Sequence, residues 1–174
     1  MEILMSRAVT KVLIDDIDVE RRLSELGMDR QDILDIRDVA ASMHATGSSP
    51  LFPANGAGQL AYQYGTRELR STFMKRKWTL DQSYGTNGVR HPDRQIVTLY
   101  QNVDVACDLS KLPEARSRKG AGSERLSQRS AFDLIEEVVP STYSDEGMSV
   151  EVWYVMVAQD GAVEVTQALI TKGE

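Results

Sequence analysis

The chain has 174 residues, 41% of them hydrophobic and 26% charged, with a formal net charge of -6, enough for one domain that buries roughly 70% of its unfolded surface without staples. No apolar run approaches the ~20 residues of a membrane span, and the first residues show no basic-then-apolar leader. One cysteine (Cys107) and two histidines (His44 and His91) exclude an internal disulfide and a Cys/His zinc site, so the chain reads as a cytoplasmic single domain whose motifs imply neither metal nor cofactor.

Val12, Leu13, Ile14 and Ile17 would suit a strand, but Val19, Leu23 and Leu26 recur at helical spacing and Gly27 supplies a stop, which predicts a first helix. A second follows from Asp29 to about Ala45. Asp29 is placed to cap the amide of Asp32, Met28 and Ile33 sit as a hydrophobic staple, and Ile33, Ile36, Ala40 and Met43 form one stripe. Gly47 marks its end, and His44 in the last turn suits the helix dipole when protonated. Residues 47–58, with Pro50 and Pro53, predict a loop. A third helix is predicted over 59–77, with Leu69 and Phe73 on an apolar face and Arg67, Arg70 and Lys77 on a basic one.

The period then changes to two. A strand between Tyr84 and Arg90 would pair, across a turn at His91-Pro92-Asp93-Arg94, with a strand over 95–103 that puts Val97, Leu99 and Val103 on one face and Ile96, Thr98 and Tyr100 on the other. Residues 123–138 predict a helix stopped by Pro140. Residues 150–158, apolar on both faces, predict a central strand, and Asp160-Gly161 turns it into a hairpin with 163–170. The expected fold is α+β, with N-terminal helices (about 1–77) packed on an antiparallel sheet of about four strands (about 78–174).

Charge is unevenly spread. Residues 1–50 hold 6 basic and 10 acidic side chains, residues 51–130 hold 13 and 7, and residues 131–174 hold 1 and 9. A basic middle between acidic ends points either to a polyanionic ligand or to a match between segments, within one chain or between copies in a homo-oligomer.

Two stretches suit an anion. In Arg116-Ser117-Arg118-Lys119-Gly120-Ala121-Gly122-Ser123-Glu124-Arg125 the glycines let backbone N–H groups approach a phosphate that Arg118, Lys119 and Arg125 would neutralise. It is no Walker A loop, because Lys119 precedes the glycines, and a solvated loop is the plainer reading of the same residues. From Tyr62 to Trp78, Arg67 and Arg70 interleave with aromatics, as in surfaces that stack bases on Tyr62 and Trp78, although Phe73 and Trp78 also fit core positions.

Other chemistry is thinly supported. Cys107 with His91 and Asp93 or Asp104 is the one thiol-based combination, although a cysteine after a strand is more often a small buried hydrophobe, and Asp104 with Asp108, or Glu136 with Glu137, are the candidate carboxylate pairs, more simply read as solvated side chains. Gly27 between two short helices invites a helix-turn-helix reading, but Asp32, Asp35 and Asp38 on the second helix would repel phosphates and suit a basic protein partner better.

Residues from about Gly65 to Leu126 resemble, loosely, a group of small uncharacterised bacterial proteins often carried on mobile elements. The resemblance rests on Gly65-Thr66-Arg67 with Leu69 and Arg70, on His91-Pro92 with Arg94 and Ile96, and on Arg118-Lys119-Gly120. It implies no particular activity, but it groups the basic helix, the proline turn and the glycine loop. The expected function is a non-enzymatic contact with phosphate groups of nucleic acid or a nucleotide through Arg67, Arg70, Arg94, Arg118, Lys119, Gly120, Gly122 and Arg125. The alternative is an acidic inhibitor or adaptor that presents Asp32, Asp35 and Asp38 to a basic nucleic-acid-handling protein. A third reading is a small enzyme clamping a phosphorylated substrate with Arg118 and Lys119.

Overall fold

The computed structural model describes residues 12–111, 113–116 and 150–167. Three helices precede a five-stranded sheet. Helix α1 (Asp16–Glu25) starts where the Asp15 carboxylate accepts the N–H groups of Ile17, at 3.0 Å, and Asp18. It ends at Gly27, whose φ of +75° lets the Met28 N–H return to the Leu23 carbonyl at 2.9 Å.

Helix α2 (Arg30–Gly47) has Asp29 at its N-cap, but the predicted cap bond does not form. The Asp29 carboxylate pairs instead with Arg76, a charged donor that outcompetes a backbone amide. Met28 and Ile33 are both buried in the same cluster, as a staple requires. Gly47 is the last helical residue, not a left-handed cap, and it is needed for close approach: a Cβ there would lie 2.7 Å from the backbone of Gly56 and Ala57. That contact sets α3 (Gly56–Lys75) antiparallel to α2. Lys77, at φ +66°, closes α3, and the Trp78 N–H returns to the Phe73 carbonyl at 3.1 Å.

The strands β1 (Thr79–Asp81), β2 (Gly88–Arg90), β3 (Ile96–Val103), β4 (Glu151–Ala158) and β5 (Val163–Gln167) lie side by side in chain order. The α+β class and the helices-first order hold. Three of the four pairings are antiparallel, but β3 and β4 run parallel, Ile96 opposite Glu151 through Val103 opposite Ala158, so the sheet is mixed. The faces of β3 fall as its alternation predicts. Ile96 and Tyr100 join Leu69, Phe73, Trp78, Ile36, Trp153 and Val155 under the helices, while Val97, Leu99 and Val103 join Val152, Tyr154 and Met156 on the opposite face. Both faces of the central pair are buried, as is usual for parallel strands. Gly161, at φ +87°, makes the turn from β4 to β5. The predicted helix over 123–138 lies outside the described residues.

Arg90 carries the charge balance at the start of β3. Its Nε donates to the buried Asp81 carboxylate at 2.7 Å, and one terminal nitrogen donates to the Gln95 side chain at 3.0 Å. Burial alone would raise the Asp81 carboxyl; bonds from Ser83 and Arg90 outweigh it and hold the group below the ordinary carboxylate range. Arg90→Ala is expected to cost about 2–3 kcal/mol, because Asp81 would keep its burial and lose its cation. Urea unfolding checks this. Since a depressed pKa stabilises above the unfolded value and that stabilisation fades as pH falls through the folded value, the variant should also lose less stability on acidification than the parent.

Candidate anion site

A notch opens where the ends of β3 and β4 meet α2 and α3. Its lining includes His44 from α2, Ala61 from α3, Tyr100 and Asn102 from β3, Gln159 after β4, and Arg116. The parallel pairing brings the two strand ends together, and a bridge between Val103 and Ala115 with the Arg116 N–H on the Asn102 carbonyl at 3.1 Å brings Arg116 to the same end.

Its polar groups are held in place. The Tyr100 hydroxyl donates to Asn102 Oδ1 at 2.8 Å and the Asn102 amide donates to the Gly58 carbonyl at 2.9 Å, while burial pushes the Tyr100 hydroxyl well above its ordinary pKa and keeps it neutral. An Arg116 terminal nitrogen lies 3.5 Å from His44 Nε2. Burial and the Arg116 charge both lower the His44 pKa, which overrides the helix-dipole preference for the protonated ring. Among the described residues, no carboxylate lines this notch and none pairs with Arg116. The notch is shallow. It measures about 240 Å³ including the open solvent at its mouth, a dent that meets one group of a ligand at its rim and encloses none.

Of the predicted phosphate-binding residues, Arg67, Arg70 and Arg94 fall among those described. Arg67 is exposed on α3, and Arg70 is half-buried with its Nε inaccessible and unbonded. Arg94 lies before β3 and Arg116 beside its end, so the eight residues of that strand separate them by about 25 Å. The proline turn and the start of the glycine segment therefore do not converge. Arg118, Lys119, Gly120, Gly122 and Arg125 lie outside the described residues. Tyr62 is 39% exposed, its ring centroid 6.3 Å from that of Tyr100. Trp78 is not a stacking platform: it is 4% exposed, against Phe73 at 4.7 Å and His91 at 4.8 Å between ring centroids, and no face is left for a base.

On the acidic side Asp32 is largely covered, pairing with Arg76 Nε at 2.6 Å. Asp35 and Asp38 are exposed, with Asp35 accepting from Gln31 and Asp38 from Arg37, each at 2.8 Å. No thiol-imidazole pair forms, because His91 precedes β3 and Cys107 follows it. His91 Nδ1 instead accepts the N–H groups of Asp93 at 3.0 Å and Arg94 at 3.2 Å. Burial and Glu164 raise the Cys107 thiol, which keeps it protonated. Asp104 is bonded by Lys111 and by the backbone of Glu114 and Val105, which hold it at about 2, so it organises its loop as a permanent anion.

Sequence alone does not point to Asn102 or Gln159; the one local signal is a polar Gln101-Asn102 pair inside an apolar strand. Comparisons with protein-family models, with curated proteins and with solved structures returned no match, so the resemblance noted above brings no activity to this chain.

Proposed function

We propose that the protein binds a phosphate group of single-stranded nucleic acid at the notch between α2 and the ends of β3 and β4, without catalysing a reaction on it. The observation that carries this reading is Arg116: a guanidinium over a polar recess whose described lining holds no carboxylate. Sequence supports it further, since Arg116 opens the basic stretch that continues through Arg118 and Lys119. The size of the notch favours a strand over a free nucleotide. A site that encloses a small ligand offers roughly 300–1,000 Å³, whereas this one meets a single group at its rim and leaves the rest of the ligand outside.

The adaptor reading draws less support, because Asp32 is committed to Arg76 and Asp38 to Arg37. The enzyme reading draws less support too: among the described residues lining the notch, none besides His44 is a group that exchanges a proton near neutral pH.

Arg116→Gln should weaken binding of a short oligodeoxythymidylate about tenfold at low salt and reduce the slope of log affinity against log salt by about 0.7, the effect of one lost phosphate contact on a single strand. Arg94→Gln, at the far end of β3, should leave both unchanged. Fluorescence anisotropy across a salt series measures this; equal losses from the two variants, or a parent affinity indifferent to salt, would rule the site out.

A further inference from the structure

Resting on that reading, we propose that His44 is the proton-linked half of the anion site: a phosphate entering between Arg116 and His44 converts the imidazole to imidazolium, so that binding takes up one proton from solvent and tightens as pH falls.

Arg116 and His44 are a pair of side chains that do not belong together. Arg116 only donates, so the ring nitrogen it meets, Nε2 of His44, presents a lone pair, and the ring's proton resides on Nδ1. In the free protein a second positive charge 3.5 Å from the guanidinium would be repelled. The other described groups lining the notch offer His44 no compensating anion. From α2 come Ala40 and Ala41, from α3 Ala61, from β3 Tyr100 and Asn102, and from β4 and its end Val157, Ala158 and Gln159. Among the described lining residues Tyr100 is the one other titratable group besides Arg116, and its hydroxyl is donated to Asn102.

An anion reverses the balance. A phosphodiester oxygen between the two side chains accepts from Arg116 and from a newly protonated Nε2, while Nδ1 keeps its hydrogen. Each cation is then stabilised by the ligand that separates them. Between the free and bound pKa values of His44 the affinity should rise by up to about tenfold per pH unit of acidification, and above both values it should be flat.

The probe is a short single-stranded oligodeoxythymidylate, whose phosphodiesters and bases do not titrate between about pH 5.5 and 8, where histidine does. Anisotropy titrations at fixed low salt should show affinity rising as pH falls for the parent chain and a markedly smaller slope for His44→Gln. Calorimetry in buffers of different ionisation heat should show proton uptake by the parent and its loss in the variant. In the absence of ligand, Arg116→Gln should raise the His44 pKa, read from its imidazole proton shifts, and leave His91 unmoved. Identical pH slopes in parent and His44→Gln, or a His44 titration indifferent to Arg116, would overturn the proton linkage while leaving phosphate binding intact. No binding at any pH would overturn the parent reading and this one with it.

Discussion

Gly65→Ala is expected to destabilise the fold by about 2–3 kcal/mol, although the same change in an isolated helix would be favourable by about 1 kcal/mol. The sign is decided by Tyr100. Gly65 sits in the middle of α3, facing β3, and a Cβ there would lie 2.5 Å from the ring carbon that bears the Tyr100 hydroxyl and 2.6 Å from its neighbour. The ring has little room to retreat, because Tyr100 is buried and its hydroxyl is bonded to Asn102, which is itself bonded to the α3 backbone at Gly58. The methyl must therefore push α3 off the sheet or break the Tyr100-Asn102 bond that shapes one wall of the notch. Tyr100→Leu removes the obstructing ring atoms, so the double variant should recover more than 1 kcal/mol relative to the sum of the single changes. Denaturant midpoints for the four proteins test this, and a Gly65→Ala protein more stable than the parent would show that the helix and strand do not approach as closely as described.

What the sequence exposes and what it hides follow from the range of each interaction. Elements governed by neighbours along the chain are legible: the stop at Gly27, the faces of β3 and the Asp160-Gly161 hairpin all depend on residues a few positions apart. The parallel pairing of β3 with β4 is not, because alternation specifies a strand's faces and carries nothing about the direction of the strand beside it. Strand β1 escapes notice for another reason. Its three residues, Thr79 to Asp81, are too few for a period, and they become a strand by pairing with Gly88 to Arg90.

The candidate site shows the same division. Arg116 is visible as the start of a basic stretch, but its partners His44, Asn102 and Gln159 come from α2, β3 and the end of β4, up to more than a hundred positions apart, and nothing local ties them together. The missing Asp29 cap bond belongs here too. A cap bond is a local preference worth about 1 kcal/mol, and Arg76, brought alongside by the antiparallel packing of α2 and α3, offers a stronger partner that no window around Asp29 contains.

Trp78 gives the sharpest test of where packing ends and recognition begins. Its position after a basic helix end, Lys75-Arg76-Lys77, is what a base-stacking aromatic would show, and a core residue shows it equally. The described contacts separate the two. One side of the indole meets Phe73, which is fully buried, another meets the His91 ring, and Gly27 comes close enough that a Cβ on it would lie 3.5 Å from the indole. The side chain thus joins the end of α3, the turn after α1 and the turn before β3. Trp78→Ala should cost about 3–5 kcal/mol through lost burial and the cavity it leaves, a large fraction of the 5–15 kcal/mol typical of a whole domain. Trp78→Phe, which keeps a ring against Phe73, should cost clearly less. Oligonucleotide affinity, measured on the Trp78→Phe protein under conditions where it remains folded, should match the parent, because the indole has no exposed face to offer. A Trp78→Ala protein that keeps its denaturant midpoint and loses nucleic-acid binding would return Trp78 to the surface and move the ligand away from the notch at Arg116.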